Sequence, residues 1–237
     1  MRLLVTRPEP DAERTAAALR AAGHTVLVQP LLRIAFNPPP EGLPRPGAIL
    51  VTSQNGVRAL AAWPDAAGWR DVPVYGAGPA TGRALAALGF TDVRNRAQDA
   101  DSLATAVIAD LPPGVGPVIY AAARDRAGGL AGGLLARGYD IRTVEAYRAD
   151  IVSGFDAAVA SALSARAIDG VLLFSRRTAS ALLALAAAGN LTTFLAAPRY
   201  FVISAPVADI LAPLAARVSV AENPDEDSLL ALIPAPV

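Results

Sequence analysis

The sequence predicts an α/β fold made of two similar domains with parallel sheets, one domain being inserted in the other. Short apolar runs alternate with Ala-, Leu- and Arg-rich segments of helical spacing along the chain of 237 residues. This alternation is typical of parallel sheets covered by helices on both faces. Segments from separate parts of the chain also resemble one another, and the matched segments occur in a changed order. Duplication explains the resemblance, and insertion explains the order.

The apolar runs predict the strands, and most are followed by a segment with helical spacing. The first such segment runs from Asp11 to Ala22 and ends at Gly23, a helix stop signal. Thr178–Pro198 carries no charge over about the length of a membrane span, but its Ala content and the Gly189-Asn190 stop predict a buried helix and a turn. The predicted strands are Leu3–Thr6, Thr25–Val28, Ala48–Thr52, Pro73–Ala77, Thr91–Arg94, Val118–Ala122, Val171–Ser175, Tyr200–Ser204 and Arg217–Ala221.

Four pairs of segments carry the internal similarity. Because the similarity extends over more than a hundred residues, it indicates duplicated domains rather than a solenoid repeat. The aligned pairs are Ala48–Leu60 with Gly170–Leu182, Gly78–Leu85 with Ser204–Leu211, Asp99–Leu103 with Asp225–Leu229, and Leu4–Val26 with Ile119–Ile141.

The order of these pairs predicts the domain boundaries. The opening segment matches the middle of the chain, while the middle matches the C-terminal part, as expected if the chain leaves domain 1, builds domain 2 and returns. We expect domain 1 to comprise residues 1–33 and 149–237, and domain 2 residues 37–145. The linkers, 30–36 and 141–150, have extended β-type sequences and are expected to pair as a two-stranded antiparallel ladder. Each domain is expected to be flavodoxin-like.

The composition excludes several kinds of chemistry. All 21 basic residues are Arg, there is no Cys, and His24 is the only His. A Schiff-base lysine, a P-loop lysine, a zinc finger and a cysteine nucleophile are therefore excluded. The formal net charge of zero gives no general attraction to nucleic acid or to an anionic membrane. No signal peptide is visible, so we expect a cytoplasmic protein.

Small hydroxyl residues and arginines follow the predicted strands, where an open parallel sheet binds ligands. Each hydroxyl could simply cap the next helix, but several together favour a polyanion-binding surface in a cleft between the domains. Guanidinium groups suit carboxylates and phosphates equally. The segments concerned are Thr6-Arg7-Pro8, Thr52–Asn55, Gly76–Thr81, Ala122–Arg124, Ser175-Arg176-Arg177 and Ser204-Ala205-Pro206.

Other polar residues allow two interpretations. His24 is expected to be a surface turn residue. The acidic pairs Asp99/Asp101 and Asp225/Asp227 could bind Mg²⁺, but capping of the helices that follow is favoured. Tyr147 lies in the return linker, where its hydroxyl could protonate a leaving oxygen or the ring could pack in a hinge. The spacing leaves both roles for Tyr147 open.

Five motifs stand in order along the chain: Leu4–Pro8, Val51–Val57, Tyr75–Thr81, Glu145–Arg148 and Leu173–Ser175. This ordered set resembles the uroporphyrinogen-III synthase family over essentially the whole chain. The resemblance implies two α/β domains joined by a β-ladder. It also implies cyclisation of linear hydroxymethylbilane, a small molecule with eight carboxylates, to uroporphyrinogen III with inversion of ring D and loss of water. No cofactor and no metal are implied, and orientation of a reactive substrate supplies most of the catalysis.

The resemblance also assigns site residues by position. Tyr147 corresponds to the tyrosine that assists departure of the hydroxyl, and a family threonine is replaced by Val207. We expect a monomer with no nucleic-acid or membrane partner. The alternative is a non-catalytic two-domain hinge-binding protein for a small anionic ligand. The expected substrate-binding residues are Thr6, Arg7, Ser53, Asn55, Thr81, Ser175, Arg199 and Ser204.

Overall fold

A computed structural model describes residues 1–97, 100–126 and 129–235, apart from the side chain of Arg96. Asp99, one of the candidate Mg²⁺ ligands, lies outside the described residues. The chain divides into two compact units: unit 1 comprises Met1–Arg33 and Asp150–Val237, and unit 2 comprises Ile34–Ala149. Each unit has its own sheet, in which the strands are wholly or mostly parallel. The predicted α/β class with two parallel sheets is confirmed.

The elements alternate along the chain as the sequence predicts. The strands are β1 (Arg2–Val5), β2 (Thr25–Val28), β3 (Leu32–Phe36), β4 (Ala48–Val51), β5 (Val74–Ala77), β6 (Val93–Ala97), β7 (Val118–Ala123), β8 (Ile141–Ile151), β9 (Gly170–Leu173), β10 (Arg199–Val202) and β11 (Arg217–Val220). The α-helices are α1 (Asp11–Ala21), α2 (Gln54–Ala61), α3 (Pro79–Ala87), α4 (Ala100–Asp110), α5 (Leu130–Leu135), α6 (Ala157–Ser164), α7 (Arg176–Ala188), α8 (Ala205–Leu211) and α9 (Glu226–Leu230).

Unit 1 holds a five-stranded sheet in the order β2-β1-β9-β10-β11, and every neighbouring pair is parallel. Numbered within the unit, this order is 2-1-3-4-5, the flavodoxin order, whose switch point lies between the first and third strands. Buried residues Leu3, Val5, Leu172 and Phe201 form the core on one face of this sheet. The carboxyl ends of β1 and β9 therefore flank the expected ligand position of unit 1.

Unit 2 holds a six-stranded sheet in the order β3-β8-β7-β4-β5-β6. The five strands from β8 to β6 are parallel. Beside β8, the backbone N–H of Asn37 donates to Ala146, and that of Val152 donates to Leu31. From Leu31 to Asn37 the residue number increases, while the number of the partner decreases from Val152 to Ala146. Strands β3 and β8 therefore run antiparallel. The switch point of unit 2 lies between β7 and β4.

The internal similarity is a structural repeat. Ala48 pairs with Val118 in the sheet of unit 2, while Gly170 pairs with Leu3 in the sheet of unit 1. The sequence alignment equates Ala48 with Gly170 and places Val118 opposite Leu3, so both sheets pair equivalent residues. The two sheets are circular permutations of one arrangement, in which β7 and β8 of unit 2 correspond to β1 and β2 of unit 1.

His24 is a correction to the sequence analysis, which placed it at the surface. Its side chain is buried, at 7% exposure, and Nδ1 lies 3.4 Å from the amino group of Met1. Burial, together with that positive charge, lowers the pKa of His24. Leu230 and Ile233 from the C-terminal end border the same surface depression as His24, and the local sequence does not reveal that these segments lie near one another.

The uncharged segment Thr178–Pro198 forms most of α7, which ends at Ala188, and a short 3₁₀ turn at Thr192–Phe194. This agrees with the predicted helix and turn. Within the described parts of the chain, no helix has the length and apolar character needed to cross a membrane.

Candidate active site

Two hydroxyl groups meet at the carboxyl edge of unit 2. The Oη of Tyr147 lies 2.7 Å from the Oγ of Ser53, although 94 residues separate them in sequence. Ser53 follows β4, and Tyr147 lies in β8, so the sheet order brings both to the region of the switch point. Tyr147 is 9% exposed. The ring of Tyr147 packs within a buried hydrophobic cluster, and its hydroxyl forms a short hydrogen bond with Ser53.

An irregularity in β8 positions Tyr147. The register against β7 shifts by one residue between the pairs Ala122–Glu145 and Ala123–Tyr147. Consecutive residues Ala146 and Tyr147 consequently pack into the same core cluster, whereas a regular strand would send them to opposite faces. The backbone N–H of Arg124 donates to the carbonyl of Tyr147 at 2.8 Å. Such bulges redirect side chains beside functional sites.

Ser53 is fixed by its role as the N-cap of α2. Its Oγ accepts a hydrogen bond from the backbone N–H of Gly56 at 3.2 Å, as expected of a serine before a helix. A Cβ on Gly56 would come within 2.7 Å of the side chain of Val51. Glycine therefore allows the first turn of α2 to lie close against β4, which holds Ser53 in place for Tyr147.

The other expected residues of unit 2 lie in the first turns of helices. Asn55 is the second residue of α2, and its Oδ1 accepts a hydrogen bond from Arg58 at 2.7 Å. Thr81 lies in the first turn of α3 and is buried. Gly78, which precedes this helix, has a φ of 78°, a conformation that favours glycine. Asn55 and Thr81 thus follow neighbouring strands of one sheet edge.

Three expected residues of unit 1 lie at the carboxyl edge of its sheet. Thr6 follows β1, is fully buried, and donates its hydroxyl to the carbonyl of Leu172 at 2.7 Å. Ser175 caps α7 by accepting the N–H of Thr178 at 3.1 Å. Ser204 occupies the N-cap position of α8 without a side-chain capping bond. Thr6 therefore ties β1 to β9, while Ser175 and Ser204 stand at helix starts.

Arg7 is held by carboxylates of its own unit. Its Nη1 lies 3.0 Å from Glu226 and 3.1 Å from the hydroxyl of Thr15, and its Nη2 lies 3.7 Å from Asp11. The guanidinium also stacks 4.2 Å from the ring centre of Phe174. The charge of Arg7 is therefore matched within the protein.

Glu226 is the residue that sequence reasoning missed. Burial raises the pKa of Glu226, but hydrogen bonds from Thr15 and Arg14 and the charge of Arg7 outweigh it, so the pKa is lowered overall. Glu226 lies 211 residues from Thr15 in sequence, and no local signal links them. Its neighbour Asp225 accepts the N–H of Ser228 at 2.7 Å, so the predicted helix capping by this acidic segment is present.

Arg199 lies apart from the other expected residues of unit 1. It is the first residue of β10, so it lies at the amino edge of the sheet, whereas Thr6, Ser175 and Ser204 follow the carboxyl ends of their strands. The structure does not bring Arg199 together with them. Among the described residues, no group of His, Asp and Glu has the arrangement of a metal site.

Comparisons with known proteins agree with this architecture. A crystal structure of uroporphyrinogen-III synthetase from Helicobacter pylori is similar at 17% identity, covering 98% of this chain and 96% of that one, with a TM-score of 0.64. A mutant uroporphyrinogen III synthase from Thermus thermophilus is similar at 19% identity, with coverage of 98% and 96% and a TM-score of 0.56. These likenesses establish the fold. A comparison with curated proteins gives no match.

The family follows from the sequence match. The family model described as uroporphyrinogen-III synthase HemD matches residues 13–231. This range includes all of unit 2, most of unit 1 and most of the candidate site residues. The chain therefore belongs to the uroporphyrinogen-III synthase family.

Proposed function

We propose that this chain converts linear hydroxymethylbilane into cyclic uroporphyrinogen III, with inversion of ring D and loss of water. The family match over residues 13–231 carries the proposal. The hydroxyl pair of Tyr147 and Ser53 supports it, because the reaction begins with departure of a hydroxyl group, which needs a proton. A chain without Lys or Cys and with one buried His suits a reaction that needs no strong nucleophile.

Tyr147 is proposed to donate that proton. Its Oη–H would transfer the proton to the terminal hydroxyl of the substrate, the carbon–oxygen bond would break, and water would leave an azafulvenium ion beside the Tyr147 phenolate. Transfer of the pyrrole N–H proton of that ion back to the phenolate would give the neutral azafulvene and restore the phenol. The azafulvene is then attacked by the substituted carbon of ring D, and the resulting spiro intermediate fragments and recloses. The Oγ of Ser53, held at 2.7 Å from Oη, orients the phenol. Such positioned proton donors contribute roughly 10²- to 10⁴-fold to rates.

Five of the seven remaining candidate residues, all but the buried Thr6 and the amino-edge Arg199, are proposed to hold the substrate carboxylates. In unit 2, Asn55 and Thr81 stand in the first turns of α2 and α3, and in unit 1 Ser175 and Ser204 precede α7 and α8. Helix N-termini offer backbone N–H groups to anions. The guanidinium group of Arg7 lies 3.0 Å from the carboxylate of Glu226. Arg7 would therefore contact a substrate carboxylate while it remains paired with Glu226.

The product isomers test the proposal. Freshly generated hydroxymethylbilane is supplied to the protein, and the products are oxidised and separated into porphyrin isomers I and III. We expect isomer III with the protein and isomer I in the protein-free blank. Isomer I alone in both reactions would overturn the proposal and leave the non-catalytic anion-binding alternative.

We also propose that the protein acts as a monomer in the cytoplasm. The support is the balanced charge of the sequence, which gives no general attraction to an anionic membrane. Light scattering at several protein concentrations tests the first point, and cell fractionation tests the second. A concentration-independent mass near 24.3 kDa is expected.

A further inference from the structure

A depression of about 430 Å³ opens at the amino edge of the unit 1 sheet, the edge opposite to Thr6, Ser175 and Ser204. Three arginines border it: Arg166, Arg199 and Arg217. Arg199 and Arg217 are direct partners in the ladder between β10 and β11, so the two cationic residues stand side by side on adjacent strands. The volume of the depression falls in the range typical of small-molecule binding sites.

The positive charge of this depression is not balanced from within. In the described part of the chain, none of the three guanidinium groups forms an ion pair with a carboxylate. The single carboxylate of the lining, Asp169, accepts the backbone N–H of Arg2 at 2.6 Å. Arg199 and Arg217 are direct partners on adjacent strands, so their like charges repel each other, and a bound anion would relieve that repulsion.

The structural repeat shows that the fold does not require these arginines. In unit 2, Val74 pairs with Val93. The residues just before them, Pro73 and Asp92, occupy the positions equivalent to Arg199 and Arg217 respectively. The same edge of the same arrangement is therefore built without a cation pair. Arg166 has a φ of 52°, a left-handed conformation in which glycine is the usual residue after a helix.

We propose that this depression, here called the arginine depression, is a second ligand site, which binds a small, multiply charged oxyanion. Arg199 and Arg217 would each present two N–H groups to the oxygens, and Arg166 would close the third side. Guanidinium groups bind phosphate and carboxylate oxygens in this way. The site involves unit 1 only, and the proposal does not rest on the proposed catalytic function.

Calorimetry on the full chain tests the proposal, with pyrophosphate as the phosphate probe and citrate as the carboxylate probe. Titrations are made in buffers of matched ionic strength set with chloride. Saturable binding of at least one probe to the unsubstituted protein is expected, and the tighter probe identifies the chemical class. Arg217→Gln and Arg166→Gln should each weaken it about tenfold or more, since each removes charge-assisted hydrogen bonds.

The control is Arg137→Gln, which removes an exposed arginine in unit 2 and should leave the affinity unchanged. Backbone amide shifts in ¹H–¹⁵N spectra give the location, and the probe should move Ile168, Arg199 and Arg217. The proposal is overturned if neither probe binds saturably, if Arg217→Gln and Arg166→Gln both keep the original affinity, or if the shifts lie at the carboxyl edges of the sheets. Thermal melting of each variant confirms that it is folded.

Discussion

The carboxyl edges of the two units present the same scaffold with different chemistry. Ser53 and Ser175 are equivalent in the repeat, and both cap a helix, with φ of −159° and −162°. Ser53 meets the phenol of Tyr147, whereas Ser175 hydrogen-bonds to the neighbouring Thr178. Continuing the alignment of Leu4–Val26 with Ile119–Ile141 by six residues places Leu32 opposite Tyr147, and leucine has no hydroxyl. The duplicated cap is thus a structural device, and the tyrosine makes one copy a candidate catalytic site.

The edges also differ in charge. Unit 1 carries Arg7, which Glu226 and Asp11 neutralise, while the residue aligned with Arg7 in unit 2 is Ala122, fully buried in β7. At the unit 1 edge, the charge of Arg7 is balanced by carboxylates, and the N-termini of two helices offer backbone N–H groups. This arrangement suits the binding of substrate carboxylates. Unit 2 offers an uncharged hydroxyl pair, which suits proton donation. We therefore propose that the unit 1 edge contributes to binding alone, whereas the unit 2 edge contributes both to binding and to the proton-transfer step.

The largest expected effect comes from removing the hydroxyl that distinguishes unit 2. Tyr147→Phe should slow formation of isomer III by roughly a hundred- to ten-thousandfold, because a positioned proton donor is lost. The ring packing is retained, so circular dichroism and thermal melting should change little. Tyr120→Phe is the control, since its hydroxyl stands 3.4 Å from Thr52 and belongs to no proposed step. Equal rates for Tyr147→Phe and the original protein would remove the catalytic role.

The paired caps give the next test. Ser53→Ala and Ser175→Ala should each lower the free energy of unfolding by about 1 kcal/mol, since each removes a helix cap. Ser53→Ala should in addition lower kcat about fivefold, because loss of one hydrogen bond leaves Tyr147 less well oriented. Denaturant unfolding and the isomer assay supply the two readouts. If Ser175→Ala lowers kcat as much as Ser53→Ala does, the proposed difference between the edges is wrong.

Thr6 tests whether a hydroxyl at the unit 1 edge serves structure. Thr6→Val keeps the shape of the side chain but removes the 2.7 Å hydrogen bond to the carbonyl of Leu172. The free energy of unfolding should fall by about 1 kcal/mol, the usual net value of a buried hydrogen bond. Urea denaturation measures it. An unchanged midpoint would show that the bond between β1 and β9 contributes nothing measurable.

The smallest effect, and a pH-dependent one, is expected at the ion network of unit 1. The pKa of Glu226 is lowered from 4.5 in the folded protein. Its contribution to stability is therefore present above pH 4.5 and is lost as the pH falls through the folded value. Glu226→Gln should reduce the free energy of unfolding at pH 7 by about 0.5 to 1 kcal/mol after solvent screening.

Glu13→Gln is the matched control for Glu226→Gln, since Glu13 is an exposed carboxylate of the same unit, 59% accessible and paired with Arg20. The difference between Glu226→Gln and the original protein should disappear as the pH is lowered below 4.5, whereas Glu13→Gln should follow the original curve throughout. A Glu226→Gln difference that grows towards low pH would contradict the assigned pKa direction.

Much of the fold was predictable because it depends on local patterns. Apolar runs gave the strands Thr25–Val28 and Ala48–Val51 within a residue, and Gly23 marked the end of α1 correctly. Ser53 and Ser175 were recognisable as helix caps because capping depends on residues only three positions apart. The internally aligned residues occupy equivalent sheet positions, since Gly170 pairs with Leu3 as Ala48 pairs with Val118. The site was less predictable, since its contacts join distant segments.

The sequence by itself determined the alternation of strands and helices, the duplication, and the absence of lysine and cysteine chemistry, since these depend on composition and on short-range periodicity. Only the tertiary structure decided that Tyr147 meets Ser53, that Glu226 holds Arg7, that His24 is buried, and that Arg199 faces the opposite edge from Ser175. Strand order, register and one bulge in β8 fix these relations. These relations arise because segments distant in sequence pack against one another. A local sequence pattern does not indicate which distant segment it will contact.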